Sequence, residues 1–146
     1  MLVDLLEEHA VPFETLGENY RALLELVRAL IGVVPNCDKY LEIWPTAFRS
    51  YNVMVPNLLN LPLLIWGIGG PREAVGLAMY VSSRAAGCPY CSAHACSFAL
   101  RRGAIANEVA AATDEDADLA PPMRAVARVA RGLGSSQAAL QGEDRI

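Results

Sequence analysis

The residues best suited to chemistry are Cys88 and Cys91, in the run Cys88-Pro89-Tyr90-Cys91, with His94 three residues further on. A cysteine pair of this kind can carry two electrons by cycling between dithiol and disulfide. The thiolate is the working form, and a helix start lowers a thiol pKa through its unpaired N–H groups and dipole. Pro89 suits the first helical position, so the pair falls on the first turn of a predicted helix reaching Arg101 or Arg102, with Gly103 as its stop. Three positions apart, the cysteines share one helix face and lie within disulfide reach. His94 projects from the same side a turn later, where it can take a thiol proton directly or through a water.

Each residue also has a plainer reading. Buried cysteines often act as small hydrophobes, and this reading is favoured for Cys37 and Cys96, which lies five residues past Cys91 and off its face. For Cys88 and Cys91 the spacing, the helix start and the histidine together favour redox chemistry. His94 alone could be a core histidine, and His9, without chemical neighbours in sequence, is a surface or core residue. Cys88, Cys91, His94 and Cys96 are all zinc-type ligands. A continuous helix cannot aim residues at offsets 0, 3, 6 and 8 around one tetrahedral point, so no metal is expected, and the pattern asks for no cofactor.

The elements that must hold these residues are helices. Thr15 to Glu18 reads as a capping box opening a helix whose apolar stripe is Tyr20, Leu23, Leu24, Val27, Leu30 and Ile31, ended by Gly32. Pro35-Asn36 marks a turn, and Pro45 must restart or kink the helix that follows. The stretch from Val53 to Trp66, broken by prolines and asparagines, reads as short helical pieces. A helix over about 71–86 carries many small residues, among them Ala74, Gly76, Ala78, Ser82 and Ser83, which predicts close backbone approach and a central place in the packing. Gly87 ends it. Shorter helical patterns follow from Asn107 to Ala112 and from Pro121 to near Gly134, joined by a solvated acidic linker, Thr113 to Asp118. The expected fold class is therefore all-α, with residues 1–146 as a single helical domain.

Composition bounds the partners. Of 146 residues, 53% are apolar and only 19% charged, which predicts that a second subunit covers some of the surface. A net charge of −4 without a Lys/Arg cluster argues against a nucleic-acid partner. The acidic, amphipathic start is the reverse of a secretory signal, so three cysteines crowded into nine residues point to redox chemistry or metal in a cytoplasmic chain rather than to a disulfide framework. No residue between Arg49 and Arg72 is charged, but Pro56, Asn57, Asn60, Pro62, Gly67, Gly69 and Gly70 interrupt the stretch. It reads as core or subunit interface, not as a membrane span.

Cys-Pro-Tyr-Cys is also the active-site tetrapeptide of glutaredoxins, where it follows a β-strand. Here it follows a helix rich in alanine and glycine, so that fold is not implied. The wider run from Glu73 to Gly103, centred on Ser82-Ser83-Arg84-Ala85-Ala86-Gly87-Cys88-Pro89-Tyr90-Cys91-Ser92-Ala93-His94, resembles the carboxymuconolactone decarboxylase and alkylhydroperoxidase D superfamily. Weaker similarity extends through Trp44 to Trp66 and Ala104 to Leu140. The resemblance implies an all-helical, homo-oligomeric alkylhydroperoxidase-like enzyme. Cys91 would be the thiol oxidised to a sulfenic acid by a hydroperoxide, and Cys88 would resolve it as the Cys88–Cys91 disulfide. His94 would belong to the proton relay, and a dithiol donor of unspecified identity would restore the pair.

Two positions depart from that pattern. The family histidine sits four residues after the second cysteine, and here the interval is three. The relay glutamate falls at Gly76, which leaves Glu73, one turn upstream, as the candidate substitute; a first-turn glutamate also simply suits the helix dipole. The competing reading is a low-activity helical oligomer, a redox-responsive binding or assembly protein. The chain also reads as a C-terminally short version of the family fold, leaving apolar surface near Val126 and Val129 for a partner subunit.

Overall fold

The computed structural model describes residues 2–58, 72–114 and 118–135. Its secondary structure is helical, with no strand among the described residues. In chain order the helices are α1 (Leu2–His9), α2 (Phe13–Asn19), α3 (Arg21–Ile31), α4 (Asp38–Leu41), α5 (Pro45–Leu58), α6 (Arg72–Ala85), α7 (Pro89–Arg101), α8 (Ala106–Ala111) and α9 (Pro121–Gly134). They gather into two compact units, Met1–Pro62 and Leu63–Ile146.

In the first unit, Leu16, Leu24 and Phe48 are buried together, and Val11, Tyr20, Leu23, Val34 and Leu41 pack around them. The expected stripe of α3 is present in Leu24 and Val27, and Gly32 ends the helix at φ 88°, a left-handed conformation that glycine adopts without a Cβ penalty. The entry into α2 differs from the capping-box reading. The helix opens at Phe13 after Pro12, without a side-chain cap, and Thr15 lies inside it. Tyr20, at φ −132°, then separates α2 from α3. Its hydroxyl donates to Glu42 Oε1 at 2.8 Å and its ring stands 4.6 Å from that of Phe48, so long-range contacts set the break.

Pro45 begins α5 as expected, but Pro56 does not interrupt that helix, which continues to Leu58. Nearby, Asn52 and Asn57 side chains donate to the carbonyls of Phe48 and Val53, four residues back on the helix. The remainder of the uncharged stretch, including most of the expected interface up to Ile68, lies outside the described residues.

The second unit carries the cysteine pair. Leu77 and Val81 of α6, Ala99 of α7, Val109 of α8 and Ala127 and Ala130 of α9 form its buried core, with Ala112 and Leu119 between the helices. Burying an aliphatic side chain of valine or leucine size contributes about 1.5–3 kcal/mol. Alanines contribute less each, so this core depends on closeness of packing. That closeness is visible at two glycines. A Cβ on Gly76 would stand 2.5 Å from Ala99 Cα, and one on Gly134 would stand 2.8 Å from Ser82 Cα. The small residues of α6 therefore do what their composition predicts. The ends of the helices also fall where proline and glycine put them, with Gly87 (φ 66°) after α6 and Gly103 (φ 97°) after α7.

No described helix is long and apolar enough to cross a membrane. Val126 and Val129 of α9 are half-buried, whereas Leu133, one turn further, is 56% exposed.

Candidate functional site

Helices α6 and α7 form a hairpin. Its turn holds Ala86 and Gly87, and Ala99 lies against Gly76, so the two helices run antiparallel. The turn delivers Cys88 to the N-cap of α7, with φ −99° and ψ 96°, and Pro89 opens the helix. The Cys88 amide donates to the Ser83 carbonyl at 3.1 Å, and the buried Ser92 hydroxyl donates to the Cys88 carbonyl at 2.8 Å. Both polar groups of the Cys88 backbone are thus satisfied, which holds its backbone in place.

The sulfurs of Cys88 and Cys91 lie at disulfide distance, with Cα atoms 5.4 Å apart. The Cys91 amide also donates to Cys88 Sγ at 3.2 Å, so a sulfur fills the place usually taken by an N-cap oxygen. This bond would favour negative charge on Cys88 in the reduced pair. Cys91 has the other advantage: it is exposed, while Cys88 is half-buried.

His94 is turned back onto the first turn of its own helix. Its Nδ1 lies 3.0 Å from the Tyr90 carbonyl, and the two rings are 4.4 Å apart. A carbonyl can only accept, so Nδ1 carries the proton and Nε2 is left with the lone pair in the neutral ring. Nε2 is buried and has no hydrogen-bond partner among the described residues. Neither ring nitrogen bonds a cysteine sulfur, and a disulfide has no proton to offer one.

Sequence reasoning missed Tyr90 as the residue that orients His94. The signal was available, because a residue four positions before a helical histidine is the one whose carbonyl its ring can reach. It also missed Ala99, which fills the space where a side chain at position 76 would go.

Glu73 is half-buried in the first turn of α6 and makes no hydrogen bond or ion pair among the described residues. It lies beyond Gly76, away from the turn, and therefore roughly 12 Å along the helix axes from the level of His94 at 1.5 Å per residue. Cys96 packs against the core of the unit, as its plain reading expected, and His9 is exposed. Cys37 is half-buried next to α4. No group of three or more histidine, cysteine or acidic residues placed to hold a metal occurs among the described residues. No family model, curated protein or solved structure matches this chain.

Proposed function

We propose that the protein is a thiol-dependent, alkylhydroperoxidase-like redox enzyme. The observation that carries the reading is the Cys88–Cys91 pair at disulfide distance on the first turn of α7, with a backbone N–H directed at sulfur. In the first step the Cys91 thiolate attacks the distal oxygen of a hydroperoxide. The O–O bond breaks, the alkoxide leaves as an alcohol after taking a proton, and Cys91 becomes a sulfenic acid. The Cys88 sulfur then attacks the Cys91 sulfur, water leaves, and the disulfide forms. An external dithiol donates two electrons and two protons to restore the pair.

The roles follow from exposure and hydrogen bonding. Cys91 is open to a substrate, and Cys88 is held beside it with a backbone N–H at its sulfur, placed to resolve. His94 Nε2 supplies a lone pair on the same helix for proton transfer. The resemblance of the Glu73–Gly103 run to the alkylhydroperoxidase D superfamily adds to this, including its oligomeric habit. Titrating thiols before and after one equivalent of an organic hydroperoxide tests the reading. Loss of two thiols from Cys88 and Cys91 is expected; four thiols surviving in a folded protein would refute it.

One observation favours a second reading. Position 76 has no room for a carboxylate, so the relay that the resemblance implies is incomplete. A slow pair of this kind suits a redox-responsive binding or assembly protein, in which the disulfide state matters more than turnover.

A further inference from the structure

A cavity of about 220 Å³ lies in the second unit, lined by Val81, Arg84 and Ala85 of α6, Thr113 after α8, and Arg131 of α9. We propose that it binds the carboxylate of a small organic acid, with Arg84 as the recognising residue. Two arginines from different helices line one space whose remaining lining residues are a valine, an alanine and a threonine. Planar guanidinium groups match a carboxylate through paired N–H donors, and the apolar walls suit a short hydrocarbon part. The volume is smaller than that of drug-sized sites, which limits the ligand to a small acid.

The two arginines are held differently. Arg131 Nη2 donates to the Ala112 carbonyl at 3.2 Å, which restrains its side chain. Arg84 is exposed, and its side chain makes no ion pair or hydrogen bond among the described residues. A basic residue in the last turn of a helix suits the dipole wherever it occurs. What distinguishes Arg84 is the second arginine brought to the same cavity by α9. Asp118 pairs with another residue, Arg124, at 3.7 Å.

The place of the cavity gives the ligand a role. Three peptide links separate Ala85 from Cys88, so their Cα atoms lie within about 11 Å of each other. An acid anchored at Arg84 would reach toward the cysteine pair. This clause rests on the redox reading: the hydroperoxide that oxidises Cys91 carries a carboxylate.

Amide NMR titration of the full reduced chain with benzoate, and separately with inorganic phosphate, tests binding without any turnover. Saturable shifts at Arg84 and Thr113 with benzoate are expected, weakened about tenfold or more in Arg84→Ala and partly restored in Arg84→Lys. Equal affinity in Arg84→Ala, or no saturable shift, overturns the proposal. Saturation by phosphate with none by benzoate overturns the organic-acid assignment. For the substrate clause, cumene hydroperoxide is compared with its ring-carboxylated analogue. Arg84→Ala should raise KM about tenfold for the charged compound only and leave kcat unchanged. If neither compound oxidises Cys91, the redox reading fails while the titration still decides the site.

Discussion

Gly76 and Ala99 touch backbone to backbone: a Cβ on Gly76 would lie 2.5 Å from Ala99 Cα and 3.2 Å from its amide nitrogen. A side chain could swing away from such a contact, but a backbone in mid-helix cannot. The contact sets the spacing of α6 and α7, and with it the frame that carries Cys88, Cys91 and His94.

Gly76→Ala should therefore destabilise the protein. Glycine to alanine in a helix interior ordinarily gains up to about 1 kcal/mol. Forcing a methyl group into a filled space costs about 1–3 kcal/mol, and here only separation of the helices can relieve it. The net effect should be a loss of about 1–2 kcal/mol in urea unfolding. A variant as stable as the parent would show that the helices part easily. Gly76→Glu should lose more, because a carboxylate would also be buried.

Cys91 should be the sulfur that a hydroperoxide oxidises. In Cys88→Ser, a dimedone-type trap should label Cys91, and the sulfenate should persist because its resolving partner is gone. Labelling of Cys88 alone in the parent chain would reverse the two roles, as the N-cap bond to Cys88 Sγ would then have decided which thiol reacts.

His94 and Glu73 should separate by mutation. His94→Ala should slow the reaction of Cys91 with hydroperoxide about a hundredfold, the lower end of the range for a positioned proton-transfer group. Glu73→Gln should leave both the rate and the thiol pKa nearly unchanged, since Glu73 bonds no described residue. A tenfold loss in folded Glu73→Gln would place that carboxylate in the relay.

The protein should sediment as a homo-oligomer at low micromolar concentration. Trp44, Val53 and Met54 are 67%, 59% and 50% exposed in the single chain, in or beside the uncharged stretch expected to form the interface. Val53→Glu should weaken assembly without unfolding the subunit, because the position is open in the monomer. A 15.7 kDa species alone for the parent chain would contradict this.

Acid should loosen α1. The Tyr40 hydroxyl, and then Lys39 at 3.0 Å, hold the Glu7 carboxyl below the usual glutamate range. A carboxyl whose pKa is lower in the folded state stabilises fully above its unfolded pKa, and that contribution fades as pH falls through the folded value. The protection factors of the α1 amides, with the intrinsic pH dependence of exchange divided out, should therefore be constant from neutral pH to about 5 and fall below about 4. The same acid response in Glu7→Gln would assign the loosening to another group.

Much of the second unit is legible from its punctuation. Pro89, Pro121, Gly87 and Gly103 mark helix ends by removing an N–H or permitting positive φ, which are local effects. The all-helical class, the cysteine pair at the start of α7 and the closeness of α6 to its neighbours follow from residue type and spacing alone. Tertiary structure decided the rest. The break at Tyr20 depends on Glu42 and Phe48, more than twenty residues away, so a capping box read from Thr15 and Glu18 could not locate it. The orientation of His94 depends on which way its ring turns, toward Tyr90 or toward Cys91, and both lie about one turn away. That Gly76 excludes a carboxylate, rather than merely lacking one, became visible only when Ala99 was brought against it. Local chemistry sets where helices start and stop; which side chains meet depends on contacts between residues that sequence spacing does not order.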